Sequence, residues 1–251
     1  MTVWGNILKL LVSDYDDTLY TGDHNIKINV KKIKEFIDKG NLFMLSSGRS
    51  YYSLKGKIIE HNIPYSYLGT EDGSHLFDSN DILIHEELLN PNILEELDPI
   101  LELGKHKGLQ YGTTREYYFE DKGLPLSSLN IIIDEDNIDK EFLIEWKKLK
   151  KKYNKEYNFL EYGYRKEWYY CIKPVGVEKS KPVDKLKELY NLDNKDIFVI
   201  GDGDNDLNMI VNYNGYMIGD NERLKRCALH RYNEVHELID DIEKNKVLRR
   251  W

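Results

Sequence analysis

The sequence predicts an α/β fold, a parallel-sheet core interrupted by an inserted α+β module. Three observations carry this expectation. Short apolar runs at residues 8–12, 42–45 and 197–200 each end in a loop rich in Asp, Ser or Gly, and a helical pattern separates the first two. That rhythm stops near residue 83 and resumes near Pro174-Val175-Gly176; between them helices and short strands follow one another without βα alternation. Acidic residues also crowd the ends of two apolar runs, the edge at which open α/β sheets bind ligands. The expected division is a core of residues 1–82 and 176–251 around an insertion of residues 83–175, and a chain of 251 residues is long enough for both.

In chain order, Leu8, Leu10, Leu11 and Val12 read as a buried strand ending in Asp14, Asp16 and Asp17. Residues 21–29 are polar, carry Gly22 and Asp23, and read as a loop. Val30, Ile33 and Ile37, with Phe36 beside them, repeat at helical spacing, and Gly40 supplies a stop. The second apolar run ends in Ser46-Ser47-Gly48-Arg49, so this turn shares a sheet edge with Asp14. Residues 50–60 read as a helix with Tyr51, Leu54 and Ile58 on one face, 65–68 as a strand, and 75–77 with 82–84 as a hairpin.

In the insertion, Pro91 opens a helix carrying Leu94, Leu97 and Leu101. Strands are expected at 110–113, 116–120, 131–133, 158–162 and 168–172. Asn137 is the expected cap of a helix reaching Tyr153, with Ile138, Phe142, Trp146 and Leu149 inward. Back in the core, 179–190 reads as a helix, and the strand at 197–200 ends in Gly201-Asp202-Gly203-Asp204-Asn205-Asp206. A helix start at 207–211, a strand at 215–218, and helices at 222–228 and 235–245 complete the pattern.

Composition excludes several classes. A net charge of −8 without a long basic block disfavours a nucleic-acid partner. The lysine run at 147–152 is interleaved with Leu149 and reads as the wet face of a helix. Two cysteines far apart make neither a disulfide framework nor a metal motif, which fits a cytoplasmic protein. The start MTVWGNILK lacks the pattern of a signal peptide, and no apolar window is long enough to span a membrane. The seven histidines lack metal-ligand spacing, and Cys171 reads as a small buried residue. A monomer or weak homodimer is expected.

The chemistry converges on one edge. Carboxylates crowded at a strand end repel one another unless a cation sits among them or one stays protonated. An acidic turn capped by Asp17 or Thr18 is the plain alternative for the first cluster alone. Mg²⁺ takes about six oxygen ligands, often a few carboxylates with water and a phosphate; Asp14, a carbonyl near Asp16, and Asp202 are the protein's candidates. Beside such an ion, Asp14 is placed to attack phosphorus. Asp16 is placed to protonate the leaving oxygen and later to deprotonate water. Ser47 and Lys179 are candidate donors to the transferring phosphoryl group.

These pieces resemble the haloacid dehalogenase (HAD) superfamily of phosphohydrolases. DYDDT at 14–18 resembles its first motif, Ser47-Gly48-Arg49 the second, Lys179 the third, and GDGDND at 201–206 the fourth. The placing of the insertion between the second and third is similar to the Cof-like (class IIB capped) branch. The resemblance implies a Rossmann-like core with an α+β cap that governs substrate choice. It implies Asp14 as nucleophile and Asp16 as acid/base. It further implies Asp14, the Asp16 carbonyl and Asp202 as Mg²⁺ ligands supported by Asp206, and Ser47, Lys179 and Asn205 as phosphate contacts. Ser46 competes with Ser47, but Gly48-Arg49 sets the register. The turn that usually reads Asn-Gly is Asp72-Gly73 here.

The activity expected from the resemblance is Mg²⁺-dependent hydrolysis of a small phosphorylated metabolite, such as a sugar phosphate, through an aspartyl-phosphate. A phosphomutase-like phosphotransferase and a non-catalytic binder of a phosphorylated ligand are the alternatives. Tyr117, Tyr118, Tyr162, Tyr164, Tyr169, Tyr170 and Trp168 in the insertion either pack its strands or stack on a sugar or base. Arg49 either reaches substrate phosphate or pairs with a carboxylate.

Overall fold

The computed structural model describes residues 7–103 and 106–247, together with the backbone but not the side chain of Tyr164. The readings made on residues 1–6 and on the Tyr164 side chain lie outside the described residues. The chain forms two compact units: one holds the residues up to Arg49, Ser53–His85 and those from Glu178 on; the other holds Ser50–Tyr52 and Glu86–Val177.

The first unit is built on a seven-stranded sheet. Its strands are β1 (Leu10–Ser13), β2 (Leu42–Ser46), β3 (Tyr67–Thr70), β4 (His75–Asp78), β5 (Leu83–Glu86), β11 (Ile197–Gly201) and β12 (Tyr216–Met217). Their order is β12-β11-β1-β2-β3-β4-β5. Strand β1 pairs parallel to β11 on one side and β2 on the other, with Leu10 opposite Ile197 and Leu42. Every residue of β1 and β11 is buried, which is why Leu10 to Val12 and Ile197 to Ile200 are apolar runs rather than alternating ones. Strand β4 runs antiparallel to β3. Strand β5 lies in this sheet, so the units divide after His85, three residues beyond the expected break at residue 82.

Helices α1 (Asp23–Asp38), α2 (Tyr51–His61), α5 (Ser180–Tyr190), α6 (Leu207–Asn212) and α7 (Val235–Glu243) accompany the sheet. Two expectations fail here. Residues 21–29 are not a loop: α1 begins at Asp23. Its polar first turns are held by Asn29, which is fully buried, donates to the Leu19 carbonyl (3.0 Å) and Glu234 (3.1 Å), and accepts from the His236 N–H (3.0 Å). Glu234 and His236 lie over 200 residues away, beyond any local pattern. Residues 222–228 do not form a helix but a single turn at Leu224–Arg226. The Asn221 side chain accepts from the backbone of Arg223 and Leu224, and the chain then turns to bridge Arg231 to Met217. Asn29→Ala should lower unfolding stability by about 1–3 kcal/mol, read in a urea titration, because it strands buried polar partners.

The second unit is a five-stranded antiparallel sheet with two helices. Its strands are β6 (His106–Thr113), β7 (Tyr117–Tyr118), β8 (Leu126–Asp134), β9 (Tyr157–Tyr164) and β10 (Glu167–Pro174), in the order β7-β6-β8-β10-β9. Helices α3 (Ile93–Leu103) and α4 (Lys140–Tyr153) bring Ile93, Leu97, Ile100, Phe142, Trp146 and Leu149 into its core. Strand β8 extends well beyond the expected 131–133, because Ser127, Ser128 and Asn130 interrupt its apolar run yet are buried in the ladder. The cap of α4 is Asp139, which accepts from the Glu141 N–H at 2.6 Å; Asn137 lies in a preceding turn.

Tyr170 packs edge-on against Phe142 and Trp146. Tyr162 and Tyr169, opposite each other across β9 and β10, stack at 5.2 Å with Tyr162 exposed. Among the described residues no helix is long and apolar enough to cross a membrane.

Candidate active site

Strand order builds the site. Strands β11, β1 and β2 are adjacent and parallel, so the loops after Gly201, Ser13 and Ser46 emerge side by side at their C-terminal ends. Asp14 extends the β1 ladder by one hydrogen bond, from its N–H to the Ile200 carbonyl at 3.1 Å, so its position is set by the sheet. Beyond it the chain turns sharply, with Asp17 in the left-handed region at φ 55° and Leu19 N–H bonded to the Asp14 carbonyl.

The loop after β11 wraps around Asp206. This side chain is fully buried, and its Oδ2 accepts from the N–H groups of Asp202 (3.0 Å) and Gly203 (2.9 Å). Gly201 is required for this: a Cβ there would stand 2.3 Å from the Asp206 carboxyl carbon. On the β3 side, Gly73 has φ 102° and its hydrogen faces the Glu178 carbonyl, where a Cβ would approach to 2.1 Å. That contact brings the start of α5 against the 71–73 turn. Lys179 stands at the N-terminal boundary of α5.

Lys179 is the centre of charge. It is 1% exposed, and its ammonium donates to Asp14 Oδ1 at 2.6 Å and to Asp206 Oδ1 at 2.7 Å. Burial alone would discharge it, but Asp14 and Asp206 outweigh that effect and keep it protonated. Burial pushes the Asp14 carboxyl up to about 8, against the pull of Lys179. Burial also raises the Asp202 carboxyl, opposed by the Thr18 hydroxyl, which donates to Asp202 Oδ1 at 2.5 Å.

Carboxylate oxygens of Asp14, Asp202 and Asp206 all lie within 4.8 Å of one another. Three carboxyl groups, two buried and that of Asp202 partly buried, stand against one ammonium, and every donor is a hard oxygen. This set fits Mg²⁺. Asp206 has Oδ1 on Lys179 and Oδ2 on two backbone N–H groups, so it supports the cluster from behind.

The remaining sequence-predicted residues divide. Ser47 is buried and its Oγ accepts from the Arg49 N–H at 3.2 Å, leaving the hydroxyl proton to donate elsewhere. Asn205 donates to Asp72 Oδ1 at 3.1 Å, tying the fourth motif to the unusual Asp72-Gly73 turn. The Asp16 side chain does not join the acidic cluster: both its oxygens are bound by Arg49, from Nε and Nη2, each at 2.7 Å. Only its backbone carbonyl remains as a possible ion ligand. Sequence reasoning missed Thr18 as the partner of Asp202; its place as the last residue of the DYDDT motif was the available signal.

Comparison with known proteins gives the family. The haloacid dehalogenase-like hydrolase family matches residues 11–237. The chain is 26% identical over 211 residues to the Bacillus subtilis 5-amino-6-(5-phospho-D-ribitylamino)uracil phosphatase YcsE, covering 81% of this chain and 80% of that protein. Among solved structures it is similar to a Thermotoga maritima protein, at TM-score 0.76 and 16% identity over 97% of this chain and 99% of that one. It is also similar to a HAD subclass IIB sugar phosphatase, at TM-score 0.69 and 14% identity over 94% and 99%. These structural likenesses show the fold, and the family match spans nearly the whole chain: the protein belongs to the haloacid dehalogenase-like hydrolases.

Proposed function

We propose that the protein is a Mg²⁺-dependent phosphatase that hydrolyses small phosphomonoesters, sugar phosphates or related metabolites, through an aspartyl-phosphate. The observation that carries this reading is the placing of Asp14: buried at a strand end, with one oxygen on Lys179 and carboxylate oxygens of Asp202 and Asp206 within 4.8 Å. Asp14, Asp202 and the Asp16 carbonyl would hold the ion, with Asp206 supporting. Bound there, Mg²⁺ supplies positive charge that offsets the repulsion between the acidic edge and a phosphate dianion.

The chain's own residues account for the rest. Asp14 uses the oxygen not bound to Lys179 to attack phosphorus; the P–O bond to the leaving group breaks, and Asp16 gives that oxygen a proton. Water then attacks the phosphoryl group, gives its proton to Asp16, and releases inorganic phosphate from Asp14. Lys179, Ser47 and Asn205 donate to the non-bridging oxygens. Residues 86–177 act as a cap that selects the leaving group, with the stacked Tyr162–Tyr169 pair as a candidate surface for a ring.

The substrate class draws support from the names of two similar proteins, one a phosphatase of a phosphoribitylamino-pyrimidine and the other a sugar phosphatase. Two free cysteines, Cys171 and Cys227, fit a cytoplasmic setting. A panel of several dozen phosphorylated metabolites, assayed for phosphate release with and without Mg²⁺, tests the proposal. Release confined to a few sugar or polyol phosphates, and lost on chelation, is expected. Isomerised product with little free phosphate would turn the reading to a mutase, and Mg²⁺-dependent ligand binding without turnover would turn it to a regulator. Exchanging residues 86–174 for those of a relative should change substrate preference more than the pH profile.

A further inference from the structure

We infer that Arg49 is a positioning residue for Asp16, with the ring of Tyr15 as its platform. This rests on the proposed role of Asp16 in proton transfer. Asp16 sits on a turn with a half-exposed side chain. A carboxylate in such a place ordinarily samples several rotamers within nanoseconds. Among the described residues its only side-chain hydrogen-bond partner is Arg49, which grips both oxygens at 2.7 Å through Nε and Nη2. That two-pronged geometry fixes the plane of the carboxylate as well as its position.

Arg49 is itself held on three sides. Its Nη1 donates to Ser53 Oγ at 3.1 Å, its backbone N–H donates to Ser47 Oγ at 3.2 Å, and its guanidinium carbon stands 5.6 Å from the centre of the Tyr15 ring. Tyr15 lies between Asp14 and Asp16 in sequence and is 1% exposed. Its ring stacks on Tyr20 at 6.0 Å, and Tyr20 stacks on His61 at 5.0 Å. Among the described residues the buried Tyr15 hydroxyl has no hydrogen-bond partner, so this residue is held by its ring rather than by its polar end. One turn therefore carries the nucleophile candidate, an aromatic support and the proton-transfer candidate in three consecutive residues. Arg49 joins the last two and also touches Ser47, a candidate phosphate contact.

A residue that acts through Asp16 has a signature in a double-mutant cycle. The variants are Arg49→Ala, Asp16→Asn and the pair, with kcat and KM measured for p-nitrophenyl phosphate in Mg²⁺ and folding checked by thermal melting. Arg49→Ala should lower kcat by roughly tenfold to a hundredfold, the scale of a misplaced catalytic group, with KM within about twofold. In the Asp16→Asn background the same change should have almost no further effect. Arg49→Lys keeps the charge but loses the fork, so it should recover part of the rate; it also serves in the cycle if Arg49→Ala does not fold. Tyr15→Leu should give a smaller, coupled loss of kcat. Additive losses from Arg49 and Asp16, a change confined to KM, or no change would overturn the inference while leaving the phosphatase reading intact. A wild-type chain that releases no phosphate would remove that reading, and the inference with it.

Discussion

Asp14→Asn is expected to lower phosphate release by about a thousandfold or more, since loss of a nucleophile removes the covalent route altogether. The amide has the size and shape of the carboxylate, and its oxygen still accepts from Lys179, which stands 2.6 Å away. The fold should therefore survive, and the melting temperature should stay within a few degrees of wild type. The assay is phosphate release from the best substrate of the panel, with melting followed in parallel. Retention of more than about a tenth of the rate would contradict covalent catalysis by Asp14.

Lys179→Met should have the largest effect on stability. The wild-type ammonium is buried against two carboxylates, one of them on the fully buried Asp206. Methionine matches its length and removes its charge, leaving Asp14 and Asp206 facing each other in a dry site. Breaking a buried ion pair from one side costs about 3–5 kcal/mol. Denaturant unfolding without divalent ions reads this directly, and the same variant should also lose most of its turnover. If the protein kept wild-type stability, Lys179 would not be the counter-charge that holds the cluster together.

Much of the architecture was legible because burial on both faces leaves a mark on sequence. Leu10 to Val12 of β1 and Ile197 to Ile200 of β11 are unbroken apolar runs, and each strand ends in the acidic loop that the parallel sheet then sets beside its neighbour. The helices α4 and α5 likewise show their inward residues by spacing. What escaped was structure held by distant polar contacts. The first turns of α1 are polar and looked like a loop, because Asn29 finds its partners in Glu234 and His236. Residues 222–228 have helix-forming composition, but Asn221 and the bridge to Met217 stop them after one turn. Strand β8 hides three buried polar residues that no hydrophobic pattern would include.

The sequence by itself determined which residues stand at the sheet edge and in what order: Asp14 and Asp16 after the first strand, Ser47 after the second, and the loop from Gly201 to Asp206 after a later one. Only the tertiary structure decided the pairing among them. Lys179 goes to Asp14 and Asp206, Thr18 to Asp202, and Arg49 takes Asp16 away from the acidic cluster. The reason is physical. Apolar runs and turn residues act locally and can be read along the chain, whereas a charge in a buried site chooses its partner by distance through space, and Lys179 and Asp14 are 165 residues apart along the backbone yet 2.6 Å apart in the fold.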